Sequence, residues 1–118
     1  MEEMTAKQAL ERTVELWDWV AREGKTKWDW PGWSNYPDTT ACGCFLCNYA
    51  ELHDKDGECS TCPLFGKWDG KESCTDSGTP YSIWHKYKNK KHPNARKAAA
   101  RIAELCRQEL SRMEQEVV

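Results

Sequence analysis

A chain of 118 residues with a formal net charge of −2 is long enough for one domain, and it lacks the strongly basic character typical of nucleic-acid-binding domains. Hydrophobic residues make up 39% of the chain and the mean hydropathy is −0.88, so the apolar core must be small. A core of this size usually needs a metal or a cross-link. No apolar run approaches the length of about 20 residues that spans a bilayer, and no membrane partner is expected.

Residues 4–23 are predicted to form an amphipathic helix. Thr5 is a suitable N-cap, apolar side chains recur at spacings of three and four, and Gly24 can end the helix in the left-handed conformation. The acidic start lacks the basic flank and apolar stretch of a signal peptide. This favours the cytoplasm, where seven cysteines would bind metal or remain thiols instead of forming a disulfide framework.

A tryptophan-rich segment follows this helix. Trp28, Trp30 and Trp33 lie among Pro and Gly residues that prevent a continuing helix. Tryptophan offers a large, rigid and partly polar surface, so these three are candidate partner-binding residues. The alternative is that they pack over the cysteine-rich module as a substitute core, because the chain has seven Trp but only two Phe.

Two Cys-x-x-Cys pairs dominate residues 42–76, a module rich in Gly, Asp and Ser in which we predict short turns. The pairs are Cys44 with Cys47 and Cys59 with Cys62. The two-residue turn directs both sulfurs of a pair to the same side, and four thiolates can surround one Zn²⁺ at roughly 2.3 Å. We therefore predict a structural zinc site with these four cysteines as ligands.

Other residues leave the ligand set open. Cys74 repeats the spacing that separates the two pairs, and His53 lies between the pairs, so either could replace a ligand. Cys42 is expected to be a bystander and Cys106, on an apolar helix stripe, a buried small hydrophobe. An iron–sulfur cluster is the rival metal centre, but the compact cysteine run that bacterial ferredoxins use is not matched here.

The sequence indicates a non-enzymatic protein. A zinc deaminase needs His-x-Glu and then Pro-Cys-x-x-Cys, whereas His53 is followed by Asp54 and Pro63 comes after the second pair. A site closed by four thiolates also has no open coordination position for a substrate or a catalytic water.

The C-terminal part of the chain is basic. A short helix over 79–88 and a longer one over 93–116 are predicted, and no acidic residue occurs between Asp76 and Glu104. Lysines among aromatic residues are typical of surfaces that bind single-stranded nucleic acid, although a solvated helix face is the alternative. The candidate nucleic-acid-binding residues are Lys86, Lys88, Lys90, Lys91, Arg96, Lys97 and Arg101.

The order of motifs resembles small uncharacterised cysteine-rich proteins of tailed bacteriophages over most of the chain. The residues that carry the resemblance are Leu16-Trp-Asp-Trp19, Cys44-Phe-Leu-Cys47, Cys59-Ser-Thr-Cys62-Pro-Leu, Cys74 and Pro80-Tyr-Ser-Ile-Trp84. The resemblance implies structural cysteines and no particular activity. By analogy it implies an accessory protein in an infected bacterium, acting in host takeover or inhibiting a defence system such as CRISPR.

Together these patterns predict a mainly α fold in which N- and C-terminal helices pack around a Cys- and Trp-rich centre with a small irregular zinc-knuckle module. We expect the protein to bind a host macromolecule, foremost a protein. The alternative is a zinc-containing nucleic-acid-binding protein that uses the basic 85–101 segment. The long apolar stripe of the last helix is also compatible with a homodimer.

Overall fold

The computed structural model describes residues 4–36, 44–53 and 61–116, and these residues form a mainly helical fold, as predicted. Two short 3₁₀ helices, Lys27–Asp29 and Pro31–Asn35, follow the first α-helix, and no strand occurs in the described ranges. The α-helices are α1 (Ala6–Glu23), α2 (Phe45–His53), α3 (Pro80–Lys86) and α4 (Pro93–Glu116).

Helix α1 is capped at both ends by the residues that the sequence indicates. The Thr5 hydroxyl accepts a hydrogen bond from the Gln8 N–H at 3.1 Å, and the Gln8 side chain accepts one from the Thr5 N–H at 3.0 Å. Gly24 adopts a φ of +64° and donates its N–H to the Val20 carbonyl. A Cβ at Gly24 would lie 2.8 Å from Cγ of Lys91, so glycine also allows the chain before α4 to approach α1.

Helices α1 and α4 pack against each other and form the main part of the core. Leu10, Leu16 and Val20 on α1 are buried together with Ile102 on α4. Each such aliphatic side chain contributes roughly 1.5–3 kcal/mol relative to an exposed position. Small side chains on the buried face of α4 fit this close packing; they are Ala95, Ala98, Ala99 and Ala103.

Aromatic side chains supply the rest of the core. Trp17 and Trp84 meet edge to face with ring centroids 4.7 Å apart, and the Trp33 and Phe45 rings stack at 5.1 Å. The Trp33 indole N–H donates to the Lys27 carbonyl at 2.7 Å, which satisfies the polar atom of a buried ring. The chain thus uses tryptophan in place of the aliphatic residues that it lacks.

The 42–76 module contains more regular structure than predicted. Where short turns are expected, α2 forms a nine-residue helix that packs against α1, because Phe45, Leu46 and Ala50 bury one apolar side of it. Two ion pairs connect the part of the module from residue 61 onward to α4. They are Arg101 with Asp69 and Lys67 with Glu109.

No helix in the described parts of the chain has the length and apolar character needed to cross a membrane.

Candidate metal centre and basic groove

Four cysteine side chains line one cavity of about 190 Å³. They are Cys44, Cys47, Cys62 and Cys74. A smaller void of about 40 Å³ is bordered by three of the same residues, Cys47, Cys62 and Cys74. The structure therefore places Cys74, which the sequence offers only as a substitute ligand, beside three of the four favoured ligands.

The first Cys-x-x-Cys pair forms a tight turn at the start of α2. Cys44 directly precedes α2, and the Cys47 N–H donates to the Cys44 Sγ at 3.4 Å. A hydrogen bond from the Cys47 side chain, backbone N–H groups and the Lys27 charge lower the pKa of Cys44 to about 6, although burial opposes them. The thiolate is the metal-binding form of cysteine, so this arrangement favours the ligand state near neutral pH.

A buried lysine forms part of the cavity wall. Lys27 is only 8% exposed, and its ammonium donates to the Tyr81 hydroxyl at 3.2 Å. The ammonium also lies 5.1 Å from the ring centroids of Trp28 and Tyr81. A cation at this position favours negative charge on nearby sulfur atoms. Sequence reasoning missed Lys27, because nothing in the segment distinguishes it from the exposed Lys25.

Cys106 lies on α4 and is fully buried, as its position in the apolar stripe indicates. Burial, and secondarily the proximity of Cys44 and Cys62, raises the pKa of Cys106. Its thiol therefore stays protonated and packs as a small hydrophobe.

The four cysteine sulfurs are atoms that zinc prefers as ligands, but they are spread around the cavity. Across residues 4–36, 44–53 and 61–116, no group of three or more His, Cys, Asp and Glu side chains is clustered as a metal ion requires. Two cysteines considered from the sequence, Cys59 as a ligand and Cys42 as a bystander, lie outside the described residues. Thiolate sulfur is a preferred ligand of zinc, so the thiol-lined cavity is the candidate metal centre.

His53, the other substitute ligand, is placed elsewhere. It is the last residue of α2, and its Nε2 lies 3.0 Å from the Met4 carbonyl oxygen. The ring also packs on Tyr49 with centroids 4.2 Å apart. His53 does not border the thiol-lined cavity, and its contact with Met4 connects α2 to the start of the described chain.

The structure places three of the seven predicted nucleic-acid-binding residues in one groove and the other four outside it. Lys86, Lys97 and Arg101 border an open groove of about 490 Å³ between α3 and α4. Lys90 instead turns inward and donates to the carbonyls of Trp84 at 2.7 Å and Tyr87 at 2.6 Å. Its ammonium caps the end of α3, and burial lowers its pKa.

Arg96 is likewise engaged by the protein itself. Its guanidinium donates to the carbonyls of Ala21 at 2.9 Å and Arg22 at 2.7 Å, at the C-terminal end of α1. Lys91 packs against Gly24, and Lys88 is exposed outside the groove. Some of these cations cap helix ends and others line the groove. Their spacing in the sequence does not reveal which do which.

The three candidate tryptophans differ in their exposure to solvent. Trp30 and Trp33 are buried in the aromatic core and cannot form a partner surface, because their rings pack on Phe45. Trp28 is 54% exposed, with the Lys27 ammonium over its ring. Of the three, only Trp28 presents a large apolar area to a partner.

No family model matches the chain, and neither a curated protein nor a solved structure shows a significant similarity to it.

Proposed function

We propose that this chain is a zinc-stabilised binding protein whose metal has a structural role. The observation that carries the proposal is that four cysteine side chains line one cavity. Cys44, Cys47 and Cys62 would provide three ligands, and Cys59 or Cys74 the fourth. Zinc would supply a cross-link between α2, the segment after it and the helices around the cavity.

The proposed role is binding without catalysis. A centre with four thiolate ligands has no coordination position open to a substrate or water. The buried Lys27 would offset part of the negative charge of such a centre, since its ammonium already borders the cavity. Turnover of a nucleotide or nucleic acid that disappears in a folded Cys62→Ser variant would contradict this part of the proposal.

We further propose that the partner is a protein and that Trp28 is a central contact. The exposed Trp28 ring is large and rigid, and the Lys27 ammonium lies 5.1 Å from its centroid. Residues of this type dominate the binding energy at many interfaces. The resemblance to phage accessory proteins makes a bacterial host protein the partner class that we expect, including a component of a defence system.

The partner proposal is tested by affinity capture from a bacterial lysate at high salt, with the wild-type chain and two variants. Trp28→Ala removes the proposed contact, and Phe65→Ala removes another exposed aromatic ring as a matched control. We expect one stoichiometric protein to be retained by the wild type and the control and lost from Trp28→Ala. Equal capture by all three chains, or none by any, would contradict the proposed surface.

The metal proposal is tested by chelation under reducing conditions. Because metal binding contributes to folding when the apo site is not preformed, removal should lower helical circular dichroism and alter tryptophan fluorescence. Unchanged spectra after verified removal of the metal would contradict a structural role.

A further inference from the structure

The groove between α3 and α4 is separate from the thiol-lined cavity, and the two share no lining residue. At about 490 Å³ it falls within the size range of small-ligand sites, roughly 300–1,000 Å³. Lys97 and Arg101, four residues apart on α4, face it from one side, and Lys86 at the end of α3 faces it from the other. Three cationic side chains thus converge on one volume.

The charge of this groove is not balanced by the protein. Its lining contains three cations and one anion, a net charge of +2. The Asp69 carboxylate accepts two hydrogen bonds from Arg101, at 3.1 and 2.5 Å, and so already has a partner. Neither Lys86 nor Lys97 has a hydrogen-bond or ion-pair partner among the residues that the structure describes. Two unpaired ammonium groups beside a guanidinium favour an anionic ligand.

The rest of the groove is mostly apolar and includes an aromatic ring in a defined position. Pro80, Ile83 and Tyr87 line it, and the Asn94 amide donates to the Tyr87 hydroxyl at 3.1 Å. The Tyr87 ring also packs on His92 with centroids 4.7 Å apart. A fixed aromatic ring next to cations can take a nucleobase by stacking while the cations take the phosphate.

We propose that this groove binds a nucleoside phosphate, with Lys86, Lys97 and Arg101 contacting the phosphate and Tyr87 contacting the base. An acidic peptide would match the charge but would not use the aromatic ring. The ligand chemistry is shared by a free nucleotide and by one unit of a single-stranded nucleic acid. The proposal does not depend on zinc or on the Trp28 surface, so it can fail while the proposed function stands.

The test is fluorescence anisotropy with a fluorescein-labelled oligothymidylate, using the full chain and three double variants. Lys86→Ala with Lys97→Ala removes both unpaired groove cations. Lys7→Ala with Lys25→Ala makes the same charge change at exposed positions outside the groove. A third variant, Lys86→Arg with Lys97→Arg, keeps the charge. Because all these side chains are exposed, each variant should fold, which circular dichroism can verify.

We expect the groove variant to bind roughly tenfold more weakly than the wild type, and the matched control to change less than about twofold. The slope of log affinity against log salt should fall by about 1.4 in the groove variant, for two lost phosphate contacts on a single strand. The arginine variant should retain binding. An equal loss in the groove variant and the control would overturn the proposal, as would no binding of the oligonucleotide or of thymidine monophosphate.

Competition identifies the source of the ligand. Displacement by thymidine monophosphate but not by thymidine would support a site for single nucleotides, and displacement only by unlabelled oligonucleotide would support a site for single strands. Displacement by polyglutamate as effective as that by oligothymidylate at equal charge would overturn the proposal, since the groove would then respond to negative charge alone.

Discussion

The Lys27 ammonium donates a hydrogen bond to the Tyr81 hydroxyl across 3.2 Å, and both side chains border the cavity lined by four cysteines. A buried ammonium is costly unless hydrogen bonds and opposite charge compensate it. The Tyr81 hydroxyl and the rings of Trp28 and Tyr81 provide part of that compensation, and Cys44, whose pKa is lowered to about 6, can provide charge of the opposite sign. The Lys27 charge in turn favours the thiolate form of Cys44, whose pKa it helps to lower.

Replacing Lys27 should make Cys44 less reactive at a fixed pH. The Lys27 charge helps to lower the pKa of Cys44 to about 6, so its removal raises that pKa and reduces the thiolate fraction. In reduced protein after metal removal, under conditions where circular dichroism verifies that α1 and α4 remain helical, we expect Lys27→Met near pH 6 to slow alkylation of Cys44 by iodoacetamide roughly threefold. Peptide mass mapping over time measures the rate. Methionine has a similar length and no charge, which preserves the packing.

The matched control for that experiment is Lys25→Met, which removes an exposed charge two residues away. It should leave the alkylation rate within the error of the wild type. An equal effect of both variants would show that the local field of Lys27 does not control Cys44.

Glu109 should make the stability of the protein depend on pH. Its side chain is only 6% exposed and bonds Arg112 and Lys67, and these contacts lower its pKa despite burial. Because the folded-state pKa lies below the unfolded value of about 4.3, the stabilisation is present above that value and is lost as pH falls through the folded pKa. Urea unfolding should show Glu109→Gln less stable by about 1 kcal/mol at pH 7.

The difference in the free energy of unfolding between the wild type and Glu109→Gln should become smaller when urea unfolding is repeated near pH 3. Glu114→Gln, an exposed change on the same helix, serves as the control and should show little difference at either pH. A constant difference at both pH values would exclude titration of Glu109 as its cause.

Thr79 should be a sensitive position for stability, because its hydroxyl connects the cysteine-containing segment to α3. Its Oγ1 accepts from the Ser82 N–H at 3.1 Å and donates to the Cys74 carbonyl at 2.5 Å, and the residue is fully buried. Thr79→Ala should lower stability by about 1–2 kcal/mol, or roughly 5 °C in the melting temperature. Thr79→Ser keeps the hydroxyl and should recover most of the loss. Equal melting temperatures for the two variants would contradict the role of the hydroxyl.

Arg96 and Lys97 are neighbours in sequence but should respond differently to substitution. Arg96 donates to two carbonyls at the end of α1, so Arg96→Ala should lower the free energy of unfolding by about 1 kcal/mol. Lys97 lines the groove without a partner among the described residues, so Lys97→Ala should change stability by less than about 0.5 kcal/mol. Chemical denaturation measures both. A loss in Lys97→Ala as large as that in Arg96→Ala would contradict this division.

Local chemistry explains why parts of the fold can be predicted from the sequence. Thr5 and Gly24 set the ends of α1 through hydrogen bonds within a few residues, and Thr79 with Pro80 starts α3 in the same way. Such caps depend on neighbouring residues alone, so pattern recognition finds them. The four-residue and three-residue spacings of Leu10, Val14, Trp17 and Ala21 locate the inner side of α1 only approximately. Leu10 and Trp17 are buried, whereas Val14 and Ala21 are only partly buried.

The roles of individual charged side chains depend on distant contacts, and the sequence does not reveal them. Lys90 and Lys97 both appear as basic residues in one segment, yet one caps α3 and the other lines a groove. Lys27 is buried because Tyr81, 54 residues later, packs beside it. Helix α2 was missed for a related reason, since its stability comes from packing against α1 more than from its own sequence.

The central claim, that the thiol-lined cavity holds one structural zinc ion, is tested most directly by native mass spectrometry of protein purified from bacteria without added metal. We predict one zinc per chain in the wild type, its loss in Cys47→Ser and Cys62→Ser, and its retention in Cys106→Ala, which changes a buried cysteine that does not line the cavity. Iron with sulfide, or a metal-free chain whose mass shows disulfides, would contradict the claim.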